Sequence, residues 1–119
     1  MHIGEVAART ELSLRSLRHW DDVGLLRPSG RTDGGFRVYT EADVEKILVI
    51  RRMKPLGFTL DEMAVAMRDL EALRADPADT TARARLEAVL DDAAARRERL
   101  VVQLGMAEEF LEVLGRELG

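Results

Sequence analysis

Arg18-His19-Trp20-Asp21-Asp22-Val23-Gly24-Leu25-Leu26-Arg27-Pro28, with Gly35-Phe36-Arg37-Val38-Tyr39 a few residues on, is the stretch that decides the fold. It reads as a short helix that ends at a glycine, a loop opened by a proline, and a strand with a basic residue between two aromatics. The helix is placed at about Leu14 to Val23. At 3.6 residues per turn Leu14, Leu17 and Trp20 share one side, and Arg15, Arg18, His19 and Asp22 share the other. Gly24 stands where a helix C-terminus favours glycine. A cationic helix face followed by a hairpin has the order of a DNA-reading helix and its wing.

Upstream, Ile3, Val6 and Ala7 fall at i, i+3 and i+4, which predicts a first short helix from about Ile3 to Arg9. Thr10-Glu11-Leu12-Ser13 is then a tight connection, with Ser13 placed to cap the second helix. Two short helices joined by three or four residues make a helix-turn-helix. Downstream, Gly34-Gly35 lies between Ser29–Thr32 and the β-favouring Phe36–Tyr39, the pattern of a small hairpin. Alternation along that strand puts Arg37 and Tyr39 on one face, with Phe36 and Val38 on the other.

Thr40 with Asp43 resembles a capping box for a third helix carrying Val44, Ile47, Leu48 and Met53, interrupted by Pro55 and Gly57. Thr59 with Glu62 is a second capping box. It opens a fourth helix with the stripe Leu60, Met63, Ala64, Met67 and Leu70, whose methionines read as core filler rather than a ligand site. Asp76-Pro77-Ala78-Asp79 reads as a linker, which divides the chain into a head at 1–75, a linker at 76–79 and a long helix at 80–118. In that helix Leu86, Leu90, Ala93, Arg97, Leu100, Leu104, Ala107, Leu111, Leu114 and Leu118 alternate steps of four and three, a heptad seam with one polar interruption. A fully buried leucine is worth about 1.5–3 kcal/mol, and a four-helix head is too small to cover the whole seam. A second copy of the same helix is its natural cover. Gly105 marks a bend or a break.

Composition narrows the classes. The 119 residues suit one small domain plus an extended element, and the formal net charge of −4 is unevenly spread. Residues 1–54 hold ten Lys/Arg against eight Asp/Glu (+2), and residues 55–119 hold eight against fourteen (−6). A basic head on an acidic tail is compatible with a local phosphate-binding surface. With no cysteine there are no thiolate metal ligands, iron–sulfur clusters, disulfides or cysteine nucleophiles. No nucleophile–base pair, phosphate loop or paired acids at a recognisable spacing argue for an enzyme, and no cofactor or metal is expected. No apolar run approaches a membrane span, so the cytoplasm is the expected location.

Ile3-Gly4-Glu5-Val6-Ala7, Leu17-Arg18-His19-Trp20-Asp21, Gly24-Leu25-Leu26 with Pro28, Gly35-Phe36-Arg37-Val38-Tyr39 and Leu56-Gly57-Phe58-Thr59-Leu60 recur, in this order, in a known family. Through about residue 70 the chain resembles the MerR family of bacterial transcription regulators. The resemblance implies a mainly α fold: a winged helix-turn-helix head of four helices and a β-hairpin wing, with a C-terminal helix that forms an antiparallel coiled coil in a homodimer. It implies a pseudo-palindromic operator on double-stranded DNA, distortion of the promoter, and RNA polymerase as a further partner of an activator. It places Ser13, Arg15, Arg18 and His19 at the major groove and Trp20 near the backbone. It assigns Arg31, Arg37 and Tyr39 to the wing's contacts with phosphates and the minor groove. Glu11 stands where the family usually has glycine, Trp20 where it usually has tyrosine, and Pro55 is unusual at the end of the third helix. The family's metal sensing loses its chemistry here, because its thiolates are absent.

Plainer readings compete at several residues. Arg18 could simply pair with Asp22 on the helix surface, worth about 0.3–0.5 kcal/mol. Tyr39 could pack beneath the wing. Arg97 could lay its stem on the seam with its head in water, or set the register of an antiparallel pair. At the level of function, the alternatives are an excisionase-like architectural DNA-bending protein and a helical protein-interaction adaptor without DNA binding.

Overall fold

α1 (Ile3–Thr10) and α2 (Leu14–Asp22) meet at a left-handed residue, Glu11, with φ 56° and ψ 31°. This geometry comes from a computed structural model that describes residues 1–119. The turn is short because each end is satisfied locally. The Glu11 N–H closes on the Ala7 carbonyl, and the Ser13 hydroxyl accepts from the Ser16 N–H to cap α2. Val6 and Thr10 from α1 and Leu17 and Trp20 from α2 are buried together, as expected for two amphipathic helices sharing a core. α2 stops at Gly24, whose φ of 75° lets Leu25 and Leu26 turn back and donate to the Trp20 carbonyl.

The hairpin is short. β1 (Gly30–Arg31) pairs antiparallel with β2 (Arg37–Val38), Gly30 opposite Val38 and Arg31 opposite Arg37. A third segment joins them. His2 bridges Val38, Tyr39 donates its N–H to the Met1 carbonyl at 2.7 Å, and the Met1 amino group donates to the Tyr39 carbonyl at 2.7 Å. The start of the chain therefore braces the wing from the far side.

α3 (Glu41–Met53) and α4 (Leu60–Ala75) each begin with a complete capping box, Thr40/Asp43 and Thr59/Glu62. Between them, Lys54–Leu56 form a 3₁₀ turn that Gly57 ends with φ 84°. Pro55 is tolerated because the first turn of such a helix leaves its N–H groups unpaired anyway. Val44, Ile47 and Ile50 of α3, Phe58, and Met63 and Met67 of α4 complete the core begun by α1 and α2.

α5 (Thr80–Leu118) is one continuous helix of 39 residues, capped by Asp79, with Gly105 inside it and no break there. Its first turns lie on α4: Ala82 is buried, and Val89 and Ala93 pack against the core. Ala93, expected in a seam between copies, is thus covered by its own head. The stripe facing the head runs through 82, 86, 89, 93 and 96, so Leu90 falls on the flank at 68% exposure. Arg97 also lies on the flank and reaches only its neighbour Glu98, at 3.1 Å. The polar residue inserted in the stripe is Arg96, whose guanidinium sits 4.0 Å from the Phe58 ring centroid and bonds Glu62, Asp92 and the Leu56 carbonyl. Beyond Arg96 nothing in the chain covers the helix, and Leu100, Leu104, Leu111, Leu114 and Leu118 stand exposed.

Candidate nucleic-acid interface

Ser13 caps α2 from the turn, and Arg15, Arg18 and His19 project from the exposed side of the helix while Leu17 and Trp20 anchor the other. Neither Arg15 nor Arg18 has a carboxylate within ion-pair distance. The Arg18–Asp22 pair is not formed, since Asp22 lies 3.7 Å from Arg37 instead. Two unpaired arginines and an imidazole on one short helix are hydrogen-bond donors with no internal task.

Two concavities flank this helix. One, of about 340 Å³, is lined by His2, Ile3, Arg18, Gly35, Phe36 and Arg37, so the helix and the wing tip share it. The other, of about 270 Å³, is lined by Arg15, Ser16, His19, Trp20 and Lys54, where the end of α3 approaches the helix. Cations line both sides of a helix of the right size for a DNA groove. No group of three or more His, Cys, Asp or Glu residues is placed to hold a metal ion. No helix is long and apolar enough to cross a membrane.

Two of the expected contacts are core residues instead. Trp20 is 3% exposed, showing only an edge in the concavity beside Arg15 and His19, and Tyr39 is 1% exposed. The apolar periodicity of α2 already put Trp20 on the buried side, and the resemblance drew it outward. The Tyr39 hydroxyl points into the interior with no protein partner in hydrogen-bond range, and burial pushes its pKa above the ordinary value. Phe36, on the opposite face of the strand, is the exposed aromatic, at 70%.

The wing arginines are also held, not free. Asp21, in the last turn of α2, accepts from Arg37 Nε and from Arg31 Nη2 through the same oxygen, Oδ2, each at 2.7 Å. Burial alone would push the Asp21 carboxyl up, but the Arg37 hydrogen bond and the charges of both arginines together hold it below the ordinary value. Asp43 is tied in a similar way to the start of the wing. Its Oδ2 accepts from Ser29 N, Ser29 Oγ and Thr40 N, and these bonds outweigh its burial and keep its carboxyl low.

Asp21, Lys54 and Phe36 carry no site assignment in the sequence reading. A signal for Asp21 existed: two arginines in a short hairpin need an acid, and the preceding helix ends in two. Lys54 had none, because its place beside Arg15 depends on where the end of α3 comes to lie in the folded chain.

The comparisons agree with this geometry. A sequence model described as MerR HTH family regulatory protein matches residues 1–70. Nodulation protein NolA of Bradyrhizobium elkanii is 42% identical over 71 residues, which are 60% of this chain and 32% of that protein. The N-terminal part of the Bacillus subtilis multidrug transporter activator Mta, solved as a crystal structure, is 30% identical with a TM-score of 0.57, covering 99% of this chain and 97% of that one. The fold is also that of HiNmlR, described as a MerR family regulator lacking the sensor domain and bound to promoter DNA. That structure is 21% identical with a TM-score of 0.72, over 98% of this chain and 86% of that one. The chain spans about a quarter to a half of the length of the curated relatives it matches. With its helix-turn-helix, wing, paired capping boxes and long final helix, this chain belongs to the MerR family of helix-turn-helix regulatory proteins.

Proposed function

We propose that the chain is a DNA-binding transcription regulator that works as a homodimer on a pseudo-palindromic operator and acts by distorting promoter DNA, with RNA polymerase as partner in the activating mode. The observation that carries the reading is the exposed face of α2: Arg15, Arg18 and His19, unpaired and flanked by the wing on one side and Lys54 on the other. Arginine donates two bonds to the major-groove edge of guanine, whereas lysine and the wing serve phosphates. Ser13, whose hydroxyl is engaged with Ser16, fixes the helix start more than it reaches outward.

The dimer rests on the exposed end of α5. Leu100, Leu104, Ala107, Leu111, Leu114 and Leu118 form one stripe, with Val101 and Phe110 at its two edges. An apolar face of this extent calls for a partner, and an antiparallel second copy covers it with the two heads at opposite ends. Residues 1–75 then form the reading head, 76–79 the connecting turn and 80–118 the dimerisation helix, whose first turns, Leu86 and Ala93 included, double as part of the head. The excisionase-like alternative has no use for that exposed helix. The adaptor alternative leaves the unpaired arginines of α2 without a role.

Arg18→Ala tests the reading. It is expected to abolish preference for operator over unrelated duplex in a gel shift while the dimer persists, because Arg18 contacts no other part of the protein through its charge. Full operator preference in that variant would refute the assignment.

A further inference from the structure

We infer that Asp21 divides the labour of the two wing arginines: Arg37 is a strut that fixes the wing to the reading helix, and Arg31 alone offers a free guanidinium edge to a DNA phosphate. This rests on the DNA-binding reading above and assigns roles within it.

The two wing arginines share one acceptor atom. Oδ2 of Asp21, on a side chain only 7% exposed, takes Arg37 Nε at 2.7 Å and Arg31 Nη2 at 2.7 Å. Arg31 and Arg37 face each other across the two strands of the hairpin, so one carboxylate holds both strands. The arginines differ in what remains. Arg37 is 22% exposed, its Nε edge is used, and its Nη2 sits 3.7 Å from Asp22, so a phosphate arriving there meets a second carboxylate. Arg31 is 47% exposed and is held from two sides, by Asp21 and by the Gly35 carbonyl at 3.2 Å. Two of its five N–H donors are used, and the remainder lie on a side chain twice as exposed as that of Arg37 with no second carboxylate beside them. A guanidinium already fixed in orientation loses little rotamer freedom when a phosphate binds. Arg31 is therefore a preorganised phosphate ligand, and Asp21 and Arg37 are positioning residues for it and for the concavity that the wing shares with Arg18.

The test uses the full chain, an operator duplex selected by it, and an unrelated duplex, with affinity measured by fluorescence anisotropy over a salt series. Arg31→Gln is expected to reduce the slope of log affinity against log salt by about 1 for each wing. Arg37→Gln keeps a donor for Asp21 but loses the charge that grips it, and is expected to weaken operator binding several-fold while leaving the slope unchanged, because no phosphate contact is lost. Asp21→Asn is expected to weaken operator binding about 10-fold while affinity for unrelated DNA is kept or rises, since a negative charge near the backbone is gone. An unchanged slope in Arg31→Gln, or a reduced slope in Arg37→Gln, overturns the inference. A parallel loss of operator and unrelated binding in Asp21→Asn overturns the role of Asp21 as a positioning residue. Arg31 is half-exposed, so its variant stays folded and remains decisive even where the Asp21 variant melts. A wild-type chain with no salt-dependent DNA affinity overturns the DNA-binding reading, and this inference with it. A wild type that binds while the variants behave otherwise overturns the inference alone.

Discussion

Glu11 is the residue whose replacement is most informative about the head. It holds φ 56° at the end of α1, the only non-glycine residue in the chain with positive φ, and the family usually has glycine there. A side chain in the left-handed region costs roughly 1–2 kcal/mol. Glycine removes that cost but loses about 0.5–1 kcal/mol more backbone entropy on folding. Glu11 also reaches Arg51 at 3.2 Å, with side chains 78% and 43% exposed, a pair worth about 0–1 kcal/mol. The net for Glu11→Gly is a small gain of about 0.5 kcal/mol. Comparison with Glu11→Ala is sharper, because both variants lack the carboxylate and the ion pair cancels. Alanine keeps the strain and glycine does not, so the glycine variant should be more stable by about 1 kcal/mol. For a chain of this size that is roughly 3–6 °C in Tm. The assay is thermal unfolding followed by circular dichroism at matched protein concentration, since any dimerisation contributes to Tm. An alanine variant as stable as the glycine variant would refute the reasoning and show that the turn relaxes without cost.

Three further outcomes follow from the packing and charge. Tyr39→Phe should leave DNA affinity unchanged within about 2-fold and keep or raise Tm, since a buried hydroxyl without a protein partner contributes nothing favourable; an affinity loss in the same salt titration would return Tyr39 to the interface. Leu100→Asp or Leu104→Asp should give a folded monomer with weak DNA affinity, because each charge would be buried in the seam; an unchanged mass in light scattering would refute the coil. Asp21 and Asp43 have pKa values held below their unfolded values, so their contribution is fully present above the ordinary carboxylate range, near pH 4, and is lost as pH falls through the folded values. Melting temperatures should fall on the acid side of that range, and less steeply in Asp43→Asn; an identical acid profile in that variant would exclude the role given to Asp43.

Much of the head was legible because its signals are local. Ser13, Thr40/Asp43 and Thr59/Glu62 announce three helix starts, and each depends on residues within one turn. The apolar side of α2 was equally plain, and Trp20 followed it into the core even though the resemblance placed that position near the DNA backbone. What was not legible depends on contacts between distant segments. The pairing of Met1 and His2 with the wing, and the clamp of Asp21 on Arg31 and Arg37, require the hairpin to fold back on α2. The heptad pattern of α5 was real, but one stripe serves two surfaces. Up to Arg96 it covers α4, and a pattern of fours and threes cannot tell an intramolecular partner from a second copy. That is why Ala93 belongs to the head and why Arg96, rather than Arg97, is the polar residue in the stripe that faces the head.

The central claim is that two copies of the α2 face read DNA together. Sequencing the fragments that the full chain selects from a random duplex pool tests it most directly. One enriched motif with two-fold symmetry is expected, its half-sites separated by a fixed spacing as a symmetric dimer requires. Recovery of the pool without enrichment, or of a single motif with no symmetry, would contradict it.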